Sequence, residues 1–101
     1  MAKVRIEILP SLAETLGIDR TDEEIVADRD SDGEGSVRDI LNLLSGRYRR
    51  FDQVVFDTGT QKLTGRVAIF LNGRTLGTGN GLSTELNDGD ILTFVPVIEG
   101  G

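Results

Sequence analysis

Four stretches of the chain hold residues whose types and spacing could do chemistry. Asp28, Asp30, Asp32 and Gly33, followed by Asp39, imitate a calcium loop, in which carboxylates at alternate positions gather round the ion and a glycine makes the sharp turn. Here Asp replaces the usual final Glu, Gly35 falls where such loops have an apolar anchor, and the preceding segment reads as strand instead of an entering helix. An acidic surface loop is the better reading, and no metal ligand set is expected. Gly77-Thr78-Gly79-Asn80-Gly81 has the glycine density of a phosphate cradle, but no helix start or lysine follows it. Arg47-Tyr48-Arg49-Arg50-Phe51 interleaves cations with aromatic rings as RNA-binding segments do, yet on a chain of net charge −6 solvated arginines at a helix end fit better. The fourth stretch is Gly100-Gly101, which alone is as readily a frayed end as a reactive one.

What is missing narrows the chemistry further. The chain has neither cysteine nor histidine, so thiol nucleophiles, imidazole bases and the usual zinc ligands are excluded, and with them the commonest catalytic constellations. No bound cofactor is expected. A net charge of −6 gives no general attraction for phosphate backbones or anionic lipid, so the expected partners are proteins, with no nucleic acid and no membrane. The absence of cysteine, of an apolar run of about 18 residues and of a basic-then-apolar leader predicts a cytoplasmic protein. At 101 residues, with 38% hydrophobic and 28% charged residues, the chain fits one compact domain over 1–101 that buries roughly two thirds of its unfolded surface.

The elements that must position these residues follow from periodicity. Lys3 to Leu9 alternates, placing Val4, Ile6 and Ile8 on one face of a half-buried strand that Pro10 ends. Ser11 suits the cap of a short helical turn through Leu12 and Leu16, with Gly17 as a left-handed exit. Glu23 to Ala27 reads as a second strand. Ser36 opens the clearest helix: Asp39 stands three residues on, and Val37, Ile40, Leu41 and Leu44 follow helical spacing. Gly46 is expected to begin its fraying, with Arg47, Arg49 and Arg50 at the negative end of its dipole. Asp52 to Gly65 reads as an excursion around the island Val54-Val55-Phe56, carrying a short extra strand. Arg66 to Leu71 is a strand, Asn72-Gly73 a hairpin turn with Thr75 and Leu76 returning, and Asp88-Gly89 a turn into a last strand over Ile91 to Ile98. Its alternation puts Leu92 and Phe94 on a core face and Ile91, Thr93, Val95 and Val97 on an open one. Strand, strand, helix, strand, short strand, long strand is the order of an α+β roll.

The block Leu86 to Gly101, with its Asp88-Gly89-Asp90 turn, final strand, Pro96 and terminal Gly100-Gly101, is similar to the end of the MoaD/ThiS family of ubiquitin-like sulfur carriers. The resemblance extends to Val4-Arg5-Ile6, to the helix start Ser36 to Leu41 and to Val67 through Gly73, and Pro96 makes it most like the MoaD type. It implies a β-grasp fold, a mixed sheet packed on one main helix, with a flexible tail over about 97–101. The excess length over many family members lies at Asp19 to Gly35 and Asp52 to Gly65.

The resemblance also implies a role. Gly101 would be the site of chemistry: its terminal carboxylate is adenylated with ATP, then attacked by a persulfide sulfur, and becomes a thiocarboxylate. Gly100 gives the backbone freedom to thread a narrow channel. Val95, Pro96, Val97 and Glu99 would touch partners, with Pro96 loosening the sheet near the strand end and Glu99 a solvated hinge. The partners implied are an adenylating enzyme (MoeB/ThiF-like, related to ubiquitin activation) and the large subunit of molybdopterin synthase (MoaE-like), in molybdenum cofactor biosynthesis. ATP and a sulfur donor act through the activating enzyme, and this chain alone is expected to have no turnover. Sulfur delivery for thiamin, tRNA or cysteine and attachment to target lysines stand as alternatives in the same class. A β-grasp interaction module without tail chemistry is the alternative from another class.

Overall fold

The computed structural model describes residues 2–19, 22–27, 35–76 and 79–97. Strand β1 (Ala2–Ile8) buries Val4, Ile6 and Ile8 and leaves Lys3 and Arg5 exposed. Helix α1 (Pro10–Leu16) begins on Pro10 itself, whose missing N–H is no loss at a first helical position. Leu9 is the residue before the helix, and Ser11, expected as the cap, lies inside the first turn. Gly17 closes α1 at φ +73°, its N–H donating to the Ala13 and Glu14 carbonyls, as a left-handed exit requires.

Strand β2 (Asp22–Ala27) pairs antiparallel with β1. Helix α2 (Val37–Arg47) starts with a capping box: the Ser36 hydroxyl accepts from the Asp39 amide, and the Asp39 carboxylate accepts from the Ser36 amide. Its apolar face, Val37, Ile40, Leu41 and Leu44, is buried. The helix runs through Gly46 to Arg47 instead of fraying, and ends when Tyr48 turns extended with its N–H on the Leu44 carbonyl at 2.8 Å.

A further helix that periodicity did not give, α3 (Arg49–Val54), follows at once. Arg49 and Arg50 therefore begin α3 and do not finish α2. α3 is anchored by Phe51, fully buried and edge-to-face with Phe94 at 5.6 Å. The excursion then forms a separate hairpin of β3 (Phe56–Asp57) and β4 (Lys62–Leu63), where one short strand was expected. The island residues Val55 and Phe56 belong to the main core. Gln61 at φ +57° ties the hairpin to α2: its carbonyl accepts from Arg38 at 2.9 Å and its Nε2 donates to Asn42 at 2.9 Å.

Strand β5 (Val67–Leu71) and β6 (Arg74–Thr75) flank Asn72 and Gly73, both at positive φ (+52° and +84°), the pattern of a tight hairpin turn. A 3-10 turn over Gly79–Ser83 brings Leu82 into the core. The last strand, β7 (Ile91–Pro96), lies at the sheet centre, parallel to β1 and antiparallel to β5. The five-stranded order β2-β1-β7-β5-β6 on one main helix is the β-grasp roll.

Candidate functional site

The two faces of β7 separate structure from surface. Leu92 and Phe94 are fully buried, Phe94 against Phe51 of α3, while Ile91, Thr93 and Val95 are half-buried on the outer face and Val97 is 45% exposed. Register supplies their neighbours: Val95 stands opposite Ala68, and Thr93 opposite Phe70, with side chains of directly opposed residues on one face. Leu9, which follows the last residue of β1, donates its N–H to the Phe94 carbonyl at 3.2 Å and is 37% exposed. Among the described residues the exposed large hydrophobics are Leu9, Leu43 and Val97. Two of the three thus flank the end of β7, where the chain leaves the sheet.

The ladder at that end differs from expectation. Asn72 donates to the Ile91 carbonyl and Val97 to the Arg66 carbonyl, at 2.8 and 2.9 Å. Odd-numbered residues of β7 therefore bond to β5, and Pro96, opposite Val67, is a non-bonded position there. Its missing N–H would point toward β1, which has already turned into α1 at Pro10. Pro96 thus removes no ladder bond and does not loosen the pairing, which continues one residue further to Val97. Ile98, Glu99, Gly100 and Gly101 lie outside the described residues.

The apolar patch is bordered by charge. On the β1–β2 side Arg5 Nη2 meets Asp22 Oδ2 at 2.7 Å and Arg5 Nε meets Glu7 at 3.5 Å, while Lys3 Nζ lies 4.0 Å from Glu24. The hydrogen bond from Arg5 to Asp22 holds the guanidinium above its ordinary value. On the β5 side stands Arg66, exposed beside Val97.

The other chemistry-bearing stretches serve the fold where they are described. The Asp39 carboxylate accepts from the Gly35 amide at 2.8 Å and from the Ser36 hydroxyl at 3.0 Å, so the last position of the calcium-like pattern is a helix cap. Asp28 to Gly33 lie outside the described residues, among which no cluster of three or more acidic residues could hold a metal ion. Arg47 pairs with Glu23, whose other oxygen accepts from the Tyr48 hydroxyl at 3.0 Å. Burial first, then Glu23, push that phenol up. Arg50 donates to the Thr15 carbonyl at 3.1 Å. Gly77 and Thr78 lie outside the described residues.

Of the expected partner-binding residues, Val95, Pro96 and Val97 come together at the end of β7. Leu9, Ala68, Phe70 and Arg66 complete the surface and were missed. Their signal was the continued alternation of β1 past Ile8 and the odd–even split of Val67 to Leu71. No helix among the described residues is long and apolar enough to cross a membrane.

A sequence model of the ThiS family matches residues 6–101. Against curated protein sequences the chain has no match. The solution structure of small archaeal modifier protein 1 from Methanosarcina acetivorans is 27% identical at a TM-score of 0.74, covering 100% of this chain and 98% of that one. The crystal structure of SAMP1 from Haloferax volcanii gives 23% and 0.74, covering 99% and 100%. A Pyrococcus furiosus protein described as subunit 1 of a molybdopterin converting factor gives 24% and 0.69, covering 97% and 100%. At these identities the last two speak to the fold alone.

Proposed function

This chain belongs to the ThiS family of ubiquitin-like sulfur carriers, and from that premise we propose that it carries sulfur as a thiocarboxylate on Gly101, as the small subunit of molybdopterin synthase. The observation that carries the reading is the apolar collar of Leu9, Val95 and Val97 at the point where the chain leaves the sheet toward Gly101. A carrier needs that surface beside its reactive end, because the enzyme that takes the tail must grip the body next to it.

The chemistry divides cleanly between chains. The Gly101 carboxylate attacks the α-phosphorus of ATP and expels pyrophosphate, giving an acyl-adenylate. A persulfide sulfur attacks the acyl carbon and AMP leaves. A second thiol then cleaves the acyl disulfide, releasing the thiocarboxylate and a disulfide on the partner. This chain has no cysteine, so the persulfide and the second thiol belong to the MoeB/ThiF-like adenylating enzyme and its sulfur donor. The thiocarboxylate then gives its sulfur to a pterin precursor held by a MoaE-like large subunit.

The likeness to the Methanosarcina small archaeal modifier protein favours a second reading, in which the activated Gly101 is joined to amines of other proteins. One experiment separates the two. The thiocarboxylated protein is mixed with the molybdopterin synthase large subunit and precursor, or with a cell extract. Sulfur transfer to the pterin supports the carrier; amide-linked adducts without sulfur transfer support the modifier.

A further inference from the structure

The reach of the tail and the charge at its root bear on which enzymes can act on it. Val97 is fixed by its N–H on the Arg66 carbonyl at 2.9 Å, and Gly101 lies four residues further on. A chain of that length spans at most about 14 Å when fully extended. Any enzyme that acts on the Gly101 carboxyl must therefore come within about 14 Å of the Val97–Arg66 pairing. Because the two residues are directly opposed, the Arg66 side chain shares the outer face with Val97.

The other cations on this face already have counter-charges: Arg5 has Asp22 and Glu7, and Lys3 has Glu24. Arg66 is exposed, and among the described residues no carboxylate lies within ion-pair distance of its guanidinium. Covering it with apolar surface alone would strand a desolvated charge, which is strongly disfavoured. An enzyme whose surface covers that spot must bring its own anion to it.

We infer that Arg66 is the specificity-determining cation of the docking face, and that the adenylating partner presents a carboxylate opposite it at the mouth of the channel that takes the tail. This rests on the carrier reading above. Arg66 is assigned a role in recognition only.

The test uses the full chain, ATP, the adenylating enzyme of the same organism, a persulfide donor and a thiol reductant, so that the acyl-adenylate is consumed and steady-state pyrophosphate release is the readout. Four proteins are compared: wild type, Arg66→Lys, Arg66→Glu, and Arg74→Glu, which makes the same charge change on exposed β6, opposite the far end of β5. Arg66→Glu raises the KM for the carrier about tenfold or more. It leaves kcat at saturation and the melting temperature unchanged, because Val97 bonds to a backbone carbonyl that any side chain retains. Arg66→Lys falls between wild type and Arg66→Glu, and Arg74→Glu matches wild type. Added salt raises the wild-type KM more steeply than that of Arg66→Glu. Equal KM values for Arg66→Glu and Arg74→Glu, with wild type active, overturn the inference and leave the carrier reading standing. No pyrophosphate release from wild type overturns both.

Discussion

Phe94 and Val95 are neighbours on β7 with opposite fates, and replacing each by Ala tests the face assignment from which the docking surface is built. Phe94 is fully buried and meets Phe51 edge-to-face at 5.6 Å. Truncation of such a ring costs about 3–5 kcal/mol, of which the aromatic pair supplies roughly 0.5–1.5 kcal/mol. Set against a typical domain stability of about 5–15 kcal/mol, Phe94→Ala removes a large fraction and can leave the chain only marginally folded. Val95 is half-buried on the outer face. Its two lost carbons are worth about 0.8 kcal/mol each when fully buried, so half burial gives about 1 kcal/mol or less. Urea denaturation followed by far-ultraviolet circular dichroism measures both variants against wild type. A Val95→Ala cost as large as that of Phe94→Ala would mean that the sheet face carrying Val95 and Val97 is packed, and the docking surface would be lost with it.

Gly46 lies inside α2, where an added Cβ meets nothing within 4 Å, so Gly46→Ala stabilises by roughly 0.5–1 kcal/mol; a lower melting temperature would show that the helix is not continuous to Arg47. Ser36→Ala removes the α2 cap and costs about 0.5–2 kcal/mol by denaturant titration. Burial alone would raise the Asp39 carboxyl, but the Ser36 and Gly35 amides, the Ser36 hydroxyl and Arg38 outweigh it and hold the group below its ordinary value. A lowered folded value means that its stabilisation is present above the unfolded value of about 3.9 and is lost as pH falls through the folded one. The melting-temperature gap between wild type and Asp39→Asn is therefore constant near neutral pH and closes in acid; a gap that widens in acid would reverse the sign of the shift.

Much of this was legible because local and tertiary signals agreed. The Ser36–Asp39 box, the Asn72-Gly73 turn and the alternation of Leu92 to Val97 each state one conformation, and the structure adopts it. α3 was not legible because its six residues hold one fully buried side chain, Phe51, and no period emerges from one point. Its partner Phe94 is distant in sequence. Ser11 misled because a proline at the first helical position competes with a capping serine after it, and the proline sets the start. Pro96 misled because residue type alone does not tell whether an N–H faces a neighbouring strand. Only the register, with β1 gone by Pro10, shows that nothing is lost there. The proposed docking surface was half legible: Val95 and Val97 follow from β7 itself, but Leu9, Ala68 and Phe70 join them only through pairing with β1 and β5.

If the Gly101 carboxyl carries the sulfur, the mass of the C-terminal peptide shows it. The protein is incubated with ATP, the adenylating enzyme and a persulfide donor, then cleaved and weighed beside variants lacking Gly101 or extended by one residue after it. The expected result is one oxygen exchanged for sulfur on the wild-type peptide ending at Gly101, and no exchange in either variant, with melting temperatures unchanged because a residue beyond the last strand buries little. Sulfur found on the extended chain without trimming back to Gly101, or no sulfur on the wild-type peptide while the adenylating enzyme turns over, would contradict it.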